Sequence, residues 1–228
     1  MQISELFYSI QGEGLLAGLP SFFVRTSGCN LRCRWCDTPY TSWRSEGSAI
    51  CVDEIVRAVR KHDTQHVVVT GGEPMISPDI KSLTETLAGE GYHITVETAG
   101  TVFEDISCSL ASISPKLSNS TPWKEEGGKF ADRHESLRDN ASVVQSFMDR
   151  YPYQLKFVID TADDMVEIEA LLAQLHNVDR SRVLLMPQSV SKEQFAEKSH
   201  WIAELCLQHG FRFGTRIHLD LYGNTRGT

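Results

Sequence analysis

Short β-branched runs alternate with longer amphipathic ones along most of the chain, and no other feature constrains the fold as tightly. Residues 21–26, 66–70, 93–98, 110–114, 154–160, 182–187 and 213–219 read as strands. Residues 52–63, 142–150, 163–175 and 192–209 read as helices, the last stopped by Gly210. A further helix opens at Ser77-Pro78-Asp79, with Ser77 as cap and Pro78 in its first turn, and closes at Gly89 or Gly91. Strands joined through helices run parallel, with right-handed crossovers. About six such units are too few to close an eight-fold barrel. The expected fold is α/β: a partial, open parallel α/β barrel in a single domain, 1–228, with chemistry at the C-terminal ends of its strands. Residues 117–140 break the rhythm. They are polar, contain glycine and are too long for an ordinary connection, so they form either a functional lid or a surface insertion.

Charge narrows the partners. Thirty acidic residues against 22 basic ones leave a net charge of −8, which disfavours a large nucleic-acid footprint. No apolar run approaches the ~18 residues that span a bilayer. The first 14 residues lack a basic stretch followed by an apolar one, so no signal peptide is expected. A cytoplasmic, non-membrane protein with reduced thiols is the consequence.

The six cysteines are then not a disulfide framework. Cys29, Cys33 and Cys36 stand within eight residues on a loop that follows a strand, spaced C-x3-C-x2-C. Three thiolates at this spacing can hold three corners of a cubane iron–sulfur cluster and leave the fourth iron open to a ligand. Structural zinc normally takes four protein ligands, and the next histidine is distant His62. Cys51, Cys108 and Cys206 read as small buried hydrophobes. Trp35 is equally suited to packing the loop, shielding a cluster or stacking on an adenine.

The triplet, with Trp35 in its second gap, resembles the radical S-adenosylmethionine (SAM) signature. The run Val67-Val68-Val69-Thr70-Gly71-Gly72-Glu73-Pro74 resembles the GGEP strand end of that superfamily. Two glycines after a buried strand let a ligand approach the backbone, and Glu73 is placed to stabilise an ammonium group. Other runs resemble the 7-carboxy-7-deazaguanine synthase family. They are Ile10-Gln11-Gly12-Glu13-Gly14, residues 23–29, Cys36-Asp37-Thr38, residues 97–101, Ser114-Pro115-Lys116 and residues 222–227. The resemblance runs from about residue 3 to the C-terminus, with 117–150 its least diagnostic part.

That resemblance implies a radical SAM ring contraction. 6-Carboxy-5,6,7,8-tetrahydropterin becomes 7-carboxy-7-deazaguanine with loss of ammonia, on the way to queuosine and other deazapurines. The implied cofactors are a 4Fe–4S cluster on Cys29, Cys33 and Cys36, S-adenosyl-L-methionine, and Mg2+ on Thr38. The implied partners are the pterin, a flavodoxin or ferredoxin electron donor, and a second copy in a homodimer. Ile10, Gln11, Gly12, Arg25, Thr70 and Thr228 are implied substrate contacts. Trp35, Gly72, Glu73, Glu97, Ser114, Pro115, Lys116 and Gln188 are implied cofactor contacts.

The residues themselves admit plainer roles. Arg25 interrupts an apolar strand, and such a charge needs either a ligand carboxylate or an internal acid. Gln11 and Gly12 read as a turn whose amide can meet a pterin edge. Thr38 can be part of an Asp-Thr-Pro turn, Asp37 can cap that turn, and Thr70 can reflect β-propensity alone. Lys156 can face the barrel mouth. None of the eight histidines, nor any other residue, is assigned a catalytic role. Two rival functions are a glycyl-radical activase acting on a protein, and a zinc- or cluster-binding module without turnover.

Overall fold

The structure is a computed structural model that describes residues 1–228. Nine strands form one sheet: β1 (Gln2–Ile10), β2 (Pro20–Thr26), β3 (Ser48–Ala49), β4 (His66–Gly71), β5 (His93–Thr98), β6 (Leu110–Ile113), β7 (Tyr153–Ile159), β8 (Val183–Pro187) and β9 (Arg212–Phe213). Eight α-helices connect or flank them: α1 (Pro39–Ser42), α2 (Val52–Val59), α3 (Ile80–Gly89), α4 (Ala131–Arg138), α5 (Ala141–Arg150), α6 (Asp164–Leu172), α7 (Lys192–His209) and α8 (Ile217–Tyr222). The strand order is β3-β1-β2-β4-β5-β6-β7-β8-β9. From β2 to β9 every pairing is parallel, and β1 and β3 extend one edge antiparallel. The sheet does not close, as the unit count predicts. No helix is long and apolar enough to cross a membrane.

The two faces of the sheet differ because neighbouring strand residues point to opposite sides. Val24, Val69, Val96, Ile113, Leu155 and Leu185 face the helices and belong to a 35-residue apolar core. Their chain neighbours Arg25, Thr70, Glu97, Ser112 and Lys156 face the other way and line a cavity. Strands covered on both sides normally read as continuous apolar runs. Polar residues at alternate positions therefore mark the inner face as a site rather than a second core.

Four expectations change. The sheet begins at Gln2, not at residue 21: β1 lies near the edge and buries only Ile3 fully, so its apolar periodicity is faint. Ser77 does not cap α3, because the 3-10 turn Pro74–Ile76 ends on it; Asp79 precedes the helix instead. The final strand shrinks to Arg212–Phe213. Gly214 then packs so tightly on β8 that a Cβ would lie 3.0 Å from Met186 and 3.1 Å from the Leu185 carbonyl. The chain turns there and continues as α8. Cys51, expected as a small buried hydrophobe, is exposed; within residues 117–140, Ser120, Thr121, Ala131 and His134 are buried.

Candidate active site

A cavity of about 470 Å³ opens at the C-terminal ends of the parallel strands. Its wall has three parts: a thiol loop, the polar inner face of the sheet, and the C-terminal segment after β9.

The thiol loop leaves β2 and carries Cys29, Cys33 and Cys36 as free thiols on one wall of the cavity. Cys29 Sγ accepts from the Leu31 amide at 3.4 Å, and Cys36 Sγ accepts from Ser42 Oγ at 3.2 Å. Trp43 Nε1 donates to the Cys33 carbonyl at 2.9 Å. Burial pushes the Cys29 and Cys33 thiols up to about 12, and repulsion among the three sulfurs adds to it. The Cys36 thiol is raised too, by burial and by Asp37. Buried thiols crowded on one wall do not ionise alone, whereas bound iron draws off their protons. The donor set fits three corners of a cubane: no fourth cysteine lines the cavity, so one iron would lack a cysteine ligand. No three His, Cys, Asp or Glu side chains converge on a single-ion position; cubane thiolates each bind a different iron and need no such convergence. Thr38 lines the same cavity, its Oγ1 3.8 Å from Cys36 Sγ.

The glycine pair Gly71-Gly72 at the end of β4 also packs against its own chain. A Cβ on Gly72 would collide with the Gly28 carbonyl and lie 2.8 Å from that of Thr41. Gly71 has φ +135° against the Thr26 backbone. The chain that approaches these glycines is its own thiol loop, although both still line the cavity. Glu73 sits behind them. It is buried and does not line the cavity. Its carboxylate accepts from Thr98 Oγ1 (2.7 Å), the Ala99 amide (2.8 Å) and the Met75 amide (3.1 Å), so it ties the turn after β4 to the end of β5. Burial raises its pKa. Pro115 is also outside the lining, between Ser114 and Lys116, which are in it. Lys116 Nζ donates to Ser114 Oγ and to its carbonyl, both at 2.7 Å.

The remaining expected residues come together. Ile10, Gln11, Gly12, Arg25, Thr70 and Thr228 all line the cavity, and so do Trp35, Gly72, Glu97 and Gln188. Trp35 Nε1 donates to the Asn119 carbonyl at 3.1 Å, which fixes the ring. Glu97 accepts from Gln11 Nε2 at 3.1 Å and from Thr70 Oγ1 at 2.8 Å, so neutral donors alone hold it. Arg25 Nε stands 2.8 Å from Glu5 Oε2, but its N–H is not aimed there and finds no acceptor. The internal acid thus balances the charge of Arg25 without saturating its donors.

A charge network, largely buried except at Asp37, lies beside these groups, and the sequence pattern did not expose it. Lys156 Nζ donates to Glu13 Oε2. Arg216 Nε donates to Glu13 Oε1 at 3.0 Å, and its Nη2 to Asp37 Oδ2 at 2.5 Å. Burial opposes every one of these charges. Even so, Lys156 and Arg216 hold the Glu13 carboxyl well below the usual range, and the acids raise both cations. Burial lowers the pKa of His218, next to Arg216 in space. A Cβ on Gly12 would strike the His218 ring, so this glycine is what lets α8 dock on the β1–β2 turn. Two signals for the network were legible: a lysine inside the apolar run of β7, and the acid in the Gly12-Glu13-Gly14 turn. Arg216 gave none, being assigned to a strand that does not form.

Residues 23–114 match the family model of the radical SAM superfamily. The chain is 43% identical to the 7-carboxy-7-deazaguanine synthase of Halobacterium salinarum, over all of this chain and 93% of that one. It is 42% identical to the enzyme of that name from Rhodopirellula baltica, over 99% of this chain and 88% of that one. Among solved structures, QueE from Escherichia coli superposes with TM-score 0.69 at 24% identity, covering 93% and 92% of the two chains. SuiB from Streptococcus suis gives TM-score 0.55 at 13% identity, over 84% of this chain and 47% of that one. Those last two likenesses establish the fold.

Proposed function

The chain belongs to the 7-carboxy-7-deazaguanine synthase family of radical SAM enzymes, and from that premise we infer that its cavity takes 6-carboxy-5,6,7,8-tetrahydropterin. The product is 7-carboxy-7-deazaguanine, formed by ring contraction with loss of ammonia, which makes the protein a carbon–nitrogen lyase. The observation that carries this reading is the convergence of Arg25, Thr70, Glu97 and three free thiols on one cavity. When bound, the cluster and S-adenosylmethionine supply a one-electron hydrogen-abstraction chemistry that no side chain here offers.

The residues of the chain bind and orient. Arg25, which lines the cavity with Glu5 behind it, suits the substrate carboxylate. Glu97, held by two neutral donors, suits the donor edge of the pterin, and Gln11 and Thr70 fix its rotamer. Lys156 keeps its proton because Glu13 and Glu97 outweigh the cost of burial. Thr38 offers a hydroxyl to Mg2+, whose other ligands would be water and substrate oxygens. Ser114, Lys116, Gln188, Gly72 and Trp35 border the space left for S-adenosylmethionine. Thr228 and residues 223–227 line the mouth of the cavity, where they would border the bound substrate. A flavodoxin or ferredoxin donor, a homodimeric state and a cytoplasmic setting complete the proposal.

The test is anaerobic turnover of the pterin deuterated at C6, with reductant, with and without Mg2+. Deuterium appearing in 5′-deoxyadenosine together with the deazaguanine product is the expected result. Cofactor cleavage that depends on a protein substrate instead would favour a glycyl-radical activase. Protein without iron, sulfide or cofactor cleavage under reducing conditions would leave only a binding module.

A further inference from the structure

The polar segment 117–140 takes no part in the function described so far, yet it carries the buried His134. The ring of His134 is bonded at both nitrogens. Nδ1 accepts from the Arg32 amide at 3.1 Å, which places the proton on Nε2. Nε2 then donates to Ser120 Oγ at 2.9 Å, and Ser120 Oγ donates to the Leu117 carbonyl at 2.7 Å. Arg32 is the residue before Cys33.

Other contacts follow the same line. The Arg34 amide donates to the Ser120 carbonyl at 2.8 Å, and Arg34 Nε to the Asn119 carbonyl at 2.5 Å. The Arg32 guanidinium lies over the Phe130 ring at 5.4 Å, and Trp43, which holds the Cys33 carbonyl, meets that ring edge-on at 5.8 Å. Backbone groups on both sides of Cys33 thus find their partners in a segment about a hundred residues away, not within the loop. A buried amide cannot go unpaired without a cost of about 1–3 kcal/mol.

We propose that His134 is a positioning residue which, through the Arg32 amide and Ser120, holds the three-cysteine loop in the shape that receives its metal cluster. Residues 117–134 are then a splint for the loop, neither lid nor incidental insertion. The proposal rests on reading the cysteines as cluster ligands, but the loop's conformation can be measured without the cluster.

The experiment uses full-length protein, handled anaerobically, with and without reconstitution by iron and sulfide. His134→Leu fills the site and removes both hydrogen bonds. His134→Asn keeps an acceptor where Nδ1 stands. Ser120→Ala removes only the distal partner. In metal-free protein, iodoacetamide labelling is followed at each cysteine by mass spectrometry, with buried Cys206 and exposed Cys51 as internal references. His134→Leu should speed labelling of Cys33 about tenfold, the factor that corresponds to losing one buried hydrogen bond, while Cys206 keeps its protection. In reconstituted protein it should speed chelator-driven iron loss by about the same factor. His134→Asn should restore both rates to within about threefold of the parent, and Ser120→Ala should shift them about threefold.

Unchanged Cys33 labelling in His134→Leu overturns the proposal. So does equal deprotection of Cys206, which would show general loosening, and so does an Asn variant no better than Leu. If His134→Leu does not fold, Ser120→Ala decides on the same readouts, and parent-like rates there overturn the proposal. A parent protein that takes up no iron and sulfide, yet loses Cys33 protection on His134→Leu, would keep the splint and sink the cluster reading.

Discussion

Val24 and Arg25, Val69 and Thr70, Val96 and Glu97, Leu155 and Lys156 are neighbours in the chain and strangers in the fold. The first of each pair packs under the helices, and the second faces the cavity. The helix face follows one rule, that apolar groups leave water and fill space, and almost any well-packed aliphatic set would satisfy it. The cavity face follows the opposite rule. Its polar groups are buried, so each needs a named partner: Glu97 has Gln11 and Thr70, and Glu13 has Lys156 and Arg216. One face sets stability and the other sets chemistry, one residue apart along the same strands.

Mutations can test how clean this division is. The largest effect belongs to the cavity wall: Cys29→Ala, Cys33→Ala or Cys36→Ala should abolish turnover while the circular dichroism of the fold persists. Full turnover in all three would refute the assignment. Next comes Lys156→Met, which leaves Glu13 paired to Arg216 alone. It should lower kcat/KM about a hundredfold and cost only about 1–3 kcal/mol in a urea titration. Leu155→Ala, one residue away, should do the reverse. Stability should fall by about 2–5 kcal/mol while kcat/KM per folded molecule stays near the parent value. An equal loss of activity in Leu155→Ala would break the comparison.

The smallest effect is one of acidity. The apolar core behind the sheet contains no carboxylate, whereas Glu13 on the cavity side is held well below its ordinary 4.5 by Lys156 and Arg216, against the cost of burial. A depressed carboxyl contributes stability that is present above the unfolded value and lost as the pH falls through the folded one. Urea midpoints should therefore begin to drop below about pH 4.5 in the parent. In Glu13→Gln that acid limb should be shallower, from a lower starting stability.

What the sequence made legible follows the same division. Short apolar runs mark β4, β5, β7 and β8, and a 3.6-residue pattern marks α2 and α6, because burial in the core imposes them. The thiol triplet was legible because three cysteines within eight residues stand out without any tertiary information. The partners of Glu73 were not legible, since an acid beside two glycines at a strand end looks the same whether it faces a ligand or clamps its own turn. Arg216 and Asp37 were invisible as a pair because nothing local marks residues 179 positions apart as partners. The hidden role of 117–140 has the same cause: polar composition says that a segment is not core, and nothing about what it touches.

The charged floor of the cavity also bears on how the molecule comes into being. Glu13 meets Lys156 across 143 positions and Arg216 across 203, whereas the strands of the sheet mostly join neighbours in the chain. Contacts that close such long loops form late, after local βα units have already gained their burial energy. The nascent chain would therefore carry a finished scaffold with an unfinished pocket until α8 arrives. Metal loading that ran ahead of that event would meet an open, wet vestibule in place of the enclosed chamber.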